Sequence, residues 1–208
     1  MLQLSRLASF VALLILAQLA KAQSSEAAER LSALLKNVSS LQAEFDQATS
    51  REQHQQRYSG KLWISKPDRF RIASSTPSPQ LLVSDGKSFW NFDEALEQVI
   101  ISKSDNSSTQ VPITLFTQAQ LALNELYNVN SYEDERREVF LLEPLDDISL
   151  VRVLTIEFEN GEPAEIRVEA DSGQSTVFML AHVKMNPELD ASLFSFTAPA
   201  GVDVIDER

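Results

Sequence analysis

The chain has 208 residues, 43% of them apolar and 23% charged, which suits one domain with an ordinary core and is too apolar for disorder. It has no cysteine and two histidines, His54 and His182; this removes thiol nucleophiles, thiolate metal sites, disulfides, a lipid-accepting Cys and any three-His metal site. Five scattered glycines build no phosphate-cradling loop, and a net charge of −12 repels nucleic acid and anionic lipid, so neither a nucleotide cofactor nor a nucleic-acid partner is expected.

The N-terminus reads as a secretion leader. Arg6 precedes an apolar run from Leu7 to Leu16, and Ala20-Lys21-Ala22 puts small residues where a signal peptidase reads. The run is shorter than the roughly 20 residues of a membrane-spanning helix. Cleavage after Ala22 is expected, leaving residues 23–208 as a single unanchored domain.

From Ser24 to Val38, apolar residues fall at Ala27, Leu31, Leu34, Leu35 and Val38, the three-and-four spacing of an amphipathic helix. The rhythm then changes to alternation, with Leu41, Ala43 and Phe45 on one face and Gln42, Glu44 and Asp46 on the other, which starts a strand. Thr49 to Arg57 is polar and Gln-rich and reads as a loop. Short apolar runs follow at Tyr58 to Ile64, Phe70 to Ala73, Leu81 to Val83, Phe89 to Phe92 and Val99 to Ile101. Between them lie Lys66-Pro67-Asp68, Pro77-Ser78-Pro79, Ser84-Asp85-Gly86-Lys87 and Asp93-Glu94, residues that close turns between neighbouring antiparallel strands.

Val111 to Tyr127 breaks this pattern: Pro112 suits a first helical turn, and Ile113, Phe116, Leu121, Leu123 and Leu126 follow, which predicts one or two short helices. Strand patterns resume at Val139 to Leu142, Leu150 to Phe158, Ala164 to Glu169 and Thr176 to Val183, with Asn160-Gly161 and Asp171-Ser172-Gly173 as turns. Asn186-Pro187, a short helical turn and Phe194-Ser195-Phe196 close the chain. The whole predicts a mainly β protein in which helices cover one curved antiparallel sheet, either as packed core or as lids over a cavity.

Several stretches together carry a resemblance: Leu62-Trp63-Ile64-Ser65-Lys66-Pro67-Asp68-Arg69-Phe70-Arg71, Leu82-Val83-Ser84-Asp85-Gly86-Lys87, Trp90, Glu97-Gln98, Pro112, and Phe194-Ser195-Phe196 through Gly201-Val202. In order and spacing, across nearly all of residues 23–208, they resemble the periplasmic outer-membrane lipoprotein carriers, the LolA family. The resemblance implies an incomplete, unclosed antiparallel β-barrel with a short-helix lid over an apolar cavity that takes the acyl chains of triacylated lipoproteins. It implies cargo received from an inner-membrane lipoprotein-releasing ABC transporter and passed to an outer-membrane lipoprotein receptor. A periplasmic monomer is expected, with no catalysed reaction, cofactor or metal. The chain departs from the family pattern at Lys66, where many members have Arg, at Ile72, where an aromatic is common, and at Ala198, where the first of two Pro usually sits.

Strand alternation puts Leu62 and Ile64 on one face, with Lys66 at its end and Trp63 pointing the other way; Phe70 and Ile72 share a face in the same manner. With the resemblance, Leu62, Ile64, Phe70, Ile72, Leu115 and Phe116 become the expected lipid-binding cavity, and Lys66 and Pro112 the lid and transfer switch. Lys66 would sit at the rim and donate to lid carbonyls between Pro112 and Phe116. Packed core, or ordinary helix-on-sheet packing for Leu115 and Phe116, is the competing reading. Arg69 and Arg71 are expected on the outer face, meeting solvent or an acidic partner. His182 is expected as a hydrogen-bonded structural residue, and Asp146-Asp147 and Asp206-Glu207 as loop and tail charges. Another class of function, a lipid-sensing binding module on the same half-barrel, fits the pattern too. A lipid hydrolase would need a nucleophile elbow such as G-x-S-x-G, and the chain has none.

Overall fold

The computed structural model describes residues 24–104, 115–118, 122–146 and 149–208. Residues 1–22, read from the sequence as a leader, and Gln23, Pro112 and Asp147 lie outside the described residues. Residues 24–36 form the predicted amphipathic helix, α1, which buries Ala27, Ala28, Leu31 and Leu35, while Val38 just beyond it is also buried.

Among the described residues the sheet has twelve strands: β1 (Ser40–Arg51), β2 (His54–Ser65), β3 (Arg69–Thr76), β4 (Gln80–Asp85), β5 (Ser88–Asp93), β6 (Gln98–Lys103), β7 (Tyr127–Glu133), β8 (Arg137–Pro144), β9 (Val151–Glu159), β10 (Glu162–Ala170), β11 (Ser175–Met185) and β12 (Asp203–Asp206). Helix α2 (Leu123–Leu126) precedes β7. The spatial order is β12-β6-β5-β4-β3-β2-β1-β11-β10-β9-β8-β7. Two antiparallel meanders, β1 to β6 and β7 to β11, are thus joined by the β1–β11 pair into one open sheet with β12 and β7 at its edges.

Three elements differ from the sequence reading. The polar stretch 49–57 is not a loop: β1 runs to Arg51 and β2 starts at His54, with Arg51 paired to His54 around a two-residue turn. Backbone pairing carries this hairpin extension, where the side chains are exposed or half-buried and no apolar alternation marks it. Strand β7 went unread because Val129 is its one buried residue, as suits a sheet edge. Strand β12 is exposed throughout and pairs in parallel with β6, Val204 opposite Val99, a partner about a hundred residues away that no local pattern signals. Asp206 there is held down to about pH 2 by hydrogen bonds from the Arg208 side chain and backbone.

Sheet curvature gives two unequal sides. The concave side holds the main core, including Leu41, Ala43, Phe45, Leu62, Ile64, Phe70, Ile72, Phe140, Leu154, Ile156, Phe158, Ile166 and Phe178, covered by α1. On the convex side, the segment leading to β12 crosses β3 and β4 through the 3-10 turn Ala191–Phe194. Arg69 lies over the Phe194 ring at 5.4 Å and Arg71 Nη1 donates to the Leu193 carbonyl at 3.2 Å; Phe92 meets Phe196 at 5.5 Å between ring centroids. The two arginines are therefore on the outer face as expected, yet they hold the chain's own C-terminal segment and are not simply presented to solvent or to a partner. Burial lowers the Arg71 pKa. Phe194 is fully packed, so Phe194→Ala should cost about 3 kcal/mol and open the 187–202 segment to limited proteolysis before the rest unfolds.

Candidate functional site

Strand register assembles the concave face from the residues that alternation had placed together. One row runs Leu41, Ile64, Phe70, Ser84, Phe89 and the next runs Ala43, Leu62, Ile72, Leu82, Asn91. Phe70 and Phe89 are 5.9 Å apart between centroids. Leu62, Ile64, Phe70, Ile72, Leu115 and Phe116 all belong to one buried cluster. Phe116 reaches across the face to Phe158 on β9, at 6.3 Å, and Phe158 in turn meets Phe140 edge-on. The site thus spans both meanders; Phe140, Phe158 and Phe178 complete it and were not singled out from the sequence, although each is an alternating apolar position on its strand.

Polar groups in the interior are matched. Among the described residues, no buried side-chain nitrogen or oxygen lacks a hydrogen-bond partner, and no group of three or more His, Asp or Glu could hold a metal ion. Ile64 is 0% exposed. Ile64→Asp would leave an unpaired carboxylate there at a cost of several kcal/mol, so loss of the cooperative unfolding transition is expected.

Lys66 follows β2 at the rim, and its ammonium donates to a helix carbonyl; residues 112–114 of the expected lid lie outside the described residues. The acceptor is Leu35 in the last turn of α1, at 2.6 Å, while the Lys66 backbone N–H donates to Ser39 at 2.9 Å. A cation at a helix C-terminus also meets the negative end of the helix dipole. Burial pushes the Lys66 pKa below the usual lysine value, so desolvation offsets part of this gain. The same turn touches the second covering segment through its backbone, Asp68 N–H donating to the Thr117 carbonyl at 3.0 Å.

Beside Lys66, Asn186 ties the end of α1 to β1. Its amide nitrogen donates to the Asn37 carbonyl at 2.9 Å, and its carbonyl accepts from the Ser39 N–H at 2.7 Å and the Ser39 hydroxyl at 2.9 Å. Asn tolerates the left-handed φ of 57° found here. The sequence marked Asn186-Pro187 as a turn and no more. His182 is hydrogen-bonded as expected, to Glu44 at 3.0 Å. However, it sits at a β-bulge with its side chain 79% exposed, because the bulge turns it out of the apolar face of β11.

An open, mainly antiparallel sheet with an apolar concave side, covered by a helix and a short segment, defines an incomplete half-barrel protein. Residues 36–197 match the family described as outer membrane lipoprotein carrier protein LolA, and the chain belongs to that family. It is 36% identical over 182 residues to an outer-membrane lipoprotein carrier protein of Chromohalobacter salexigens, covering 86% of this chain and 87% of that one. It is 36% identical over 201 residues to the protein of that name in Pseudomonas aeruginosa, covering 95% and 97%. An uncharacterized conserved protein from Thermus thermophilus shares the fold at a TM-score of 0.55 with 14% identity, covering 88% of this chain and 99% of that one.

Proposed function

We propose that this protein is a periplasmic carrier for triacylated lipoproteins, taking their acyl chains from an inner-membrane ABC transporter and passing them to an outer-membrane receptor. It works as a monomer, as a single domain of residues 23–208 freed by cleavage after Ala22, and catalyses no reaction. The observation that carries this reading is the apolar concave face covered by a helix that the rim side chain of Lys66 helps to hold, through the Leu35 carbonyl, in a chain whose relatives bear the carrier name.

Leu62, Ile64, Phe70, Ile72, Leu115 and Phe116 would line the cavity once α1 and the 115–117 segment lift, with acyl chains replacing the covering side chains. Pro112 would begin the second covering element. Each buried methylene is worth about 0.8 kcal/mol, so three chains of roughly 16 carbons would exceed the ceiling of about 20 kcal/mol for non-covalent binding if wholly buried. Burial is therefore partial or offset by opening the cover. Release into water would be too slow, so cargo passes by direct docking of donor and acceptor.

Native mass spectrometry after incubation with a triacylated lipoprotein tests the reading. A 1:1 adduct with the acylated form and none with the unacylated form is expected; equal binding of both, or of neither, would reject it.

A further inference from the structure

Helix α1 is held very differently at its two ends. At the C-terminal end, residues 37–40 are bound by the Asn186 side chain, by the Asn186 N–H donating to Ser40 at 2.8 Å, by Ser40 Oγ donating to Pro187 at 2.7 Å and by the Lys66 N–H. Toward the other end the polar ties are few. Arg30 makes a bidentate pair with Glu138 of β8, both bonds 2.7 Å, and Ser24 Oγ donates to Asn128 at 2.9 Å and accepts from the Val129 N–H at 3.1 Å on β7. Packing is graded the same way: the first half of α1 buries Ala27 and Ala28, the second half Leu31 and Leu35. The N-terminal half therefore loses the least apolar contact on lifting.

We propose that Arg30 and Glu138 are positioning residues that latch α1 shut, and that α1 opens by swinging from this end about the Asn186 hinge. The latch lies on the β7–β8 wall, across the concave face from Lys66, so the Arg30 pair parts first and the Lys66 bond, one turn from the hinge, parts last. Arg30 is drawn to this wall by Glu138 and more weakly by Glu133. Its side chain is 55% exposed and that of Glu138 is 21%, so the pair stays open to screening by salt. What enters when α1 lifts rests on the carrier reading above; the hinge and latch do not.

Hydrogen exchange of α1 amides, with uptake of a fluorescent palmitoyl probe measured in parallel, tests this on the full mature chain. In Arg30→Glu and in Glu138→Arg, exchange in the first two turns of α1 should quicken by about fivefold, the upper end for an exposed ion pair, with β1 amides unchanged. The double variant Arg30→Glu/Glu138→Arg should return to the wild-type rate, which a loss of mere packing would not. Adding salt to about 1 M should loosen the wild type in the same way, and should leave Arg30→Gln unaltered. Unchanged exchange in the single variants, no rescue in the double, or loosening that spreads equally into β1 would overturn the latch and hinge. Loosened and rescued α1 with palmitoyl uptake identical in every variant would uphold the latch and reject the carrier reading instead.

Discussion

Lys66→Leu is expected to take up lipoprotein normally and to fail in handing it on. The bond from its ammonium to the Leu35 carbonyl belongs to the closed, empty protein, so its free energy is regained when acyl chains leave and α1 settles back. A hydrogen bond from a charged donor contributes about 1.5 to 3 kcal/mol, and the burial that lowers the Lys66 pKa puts this one at the lower end. Removing it weakens the closed state by about tenfold while the leucine keeps the apolar stem. A loaded state then gains on the empty one, and release to a receptor becomes less favourable by the same factor. Lys66→Arg should preserve the cycle, since a guanidinium fork supplies the donor and one more. The measurement is transfer of acylated cargo to receptor-loaded vesicles; delivery by Lys66→Leu at the wild-type rate would leave Lys66 as a turn residue.

Gly60→Ala should be the most damaging small substitution in the sheet. Gly60 pairs with Phe45 on β1 at a bulge in the β2–β3 ladder. A Cβ there would overlap the Ala73 carbonyl oxygen and stand 2.9 Å from the Ser74 Cα, both backbone atoms that cannot step aside without breaking the pairing. Overpacking of this kind costs about 3 kcal/mol, and a Tm lower by roughly 6–12 °C is expected for a chain of this size. Gly173→Ala is the control. Its φ is +78° with nothing within 4 Å, so it bears left-handed strain alone, about 1 kcal/mol. Equal losses for the two variants would show that the Gly60 contact is relieved by small shifts.

Both substitutions act where the chain's local pattern was silent. Lys66 was legible as a rim residue because strand alternation carries Leu62 and Ile64 to it, but its acceptor, Leu35, is 31 residues away and belongs to a helix that the sequence showed simply as amphipathic. Gly60 is an isolated glycine in a strand pattern; what it avoids is a carbonyl on the neighbouring strand.

Spacing within one element made α1, most of the turns and the alternating faces of β2 to β5 and β8 to β11 legible in the sequence. Period alone puts Leu62 with Ile64 and Phe70 with Ile72, and the β2–β3 register then brings the two pairs onto one face. The tertiary structure decided what crosses elements. It set the β1–β11 pair that joins two meanders, the parallel β12 beside β6, the arginines turned to the chain's own Leu193 and Phe194, and the Asn186 knot beneath α1. Backbone pairing between distant strands carries no side-chain signature, and a carbonyl acceptor is the same atom in every residue. Such partners are chosen by the packing of the apolar faces that bring them within reach.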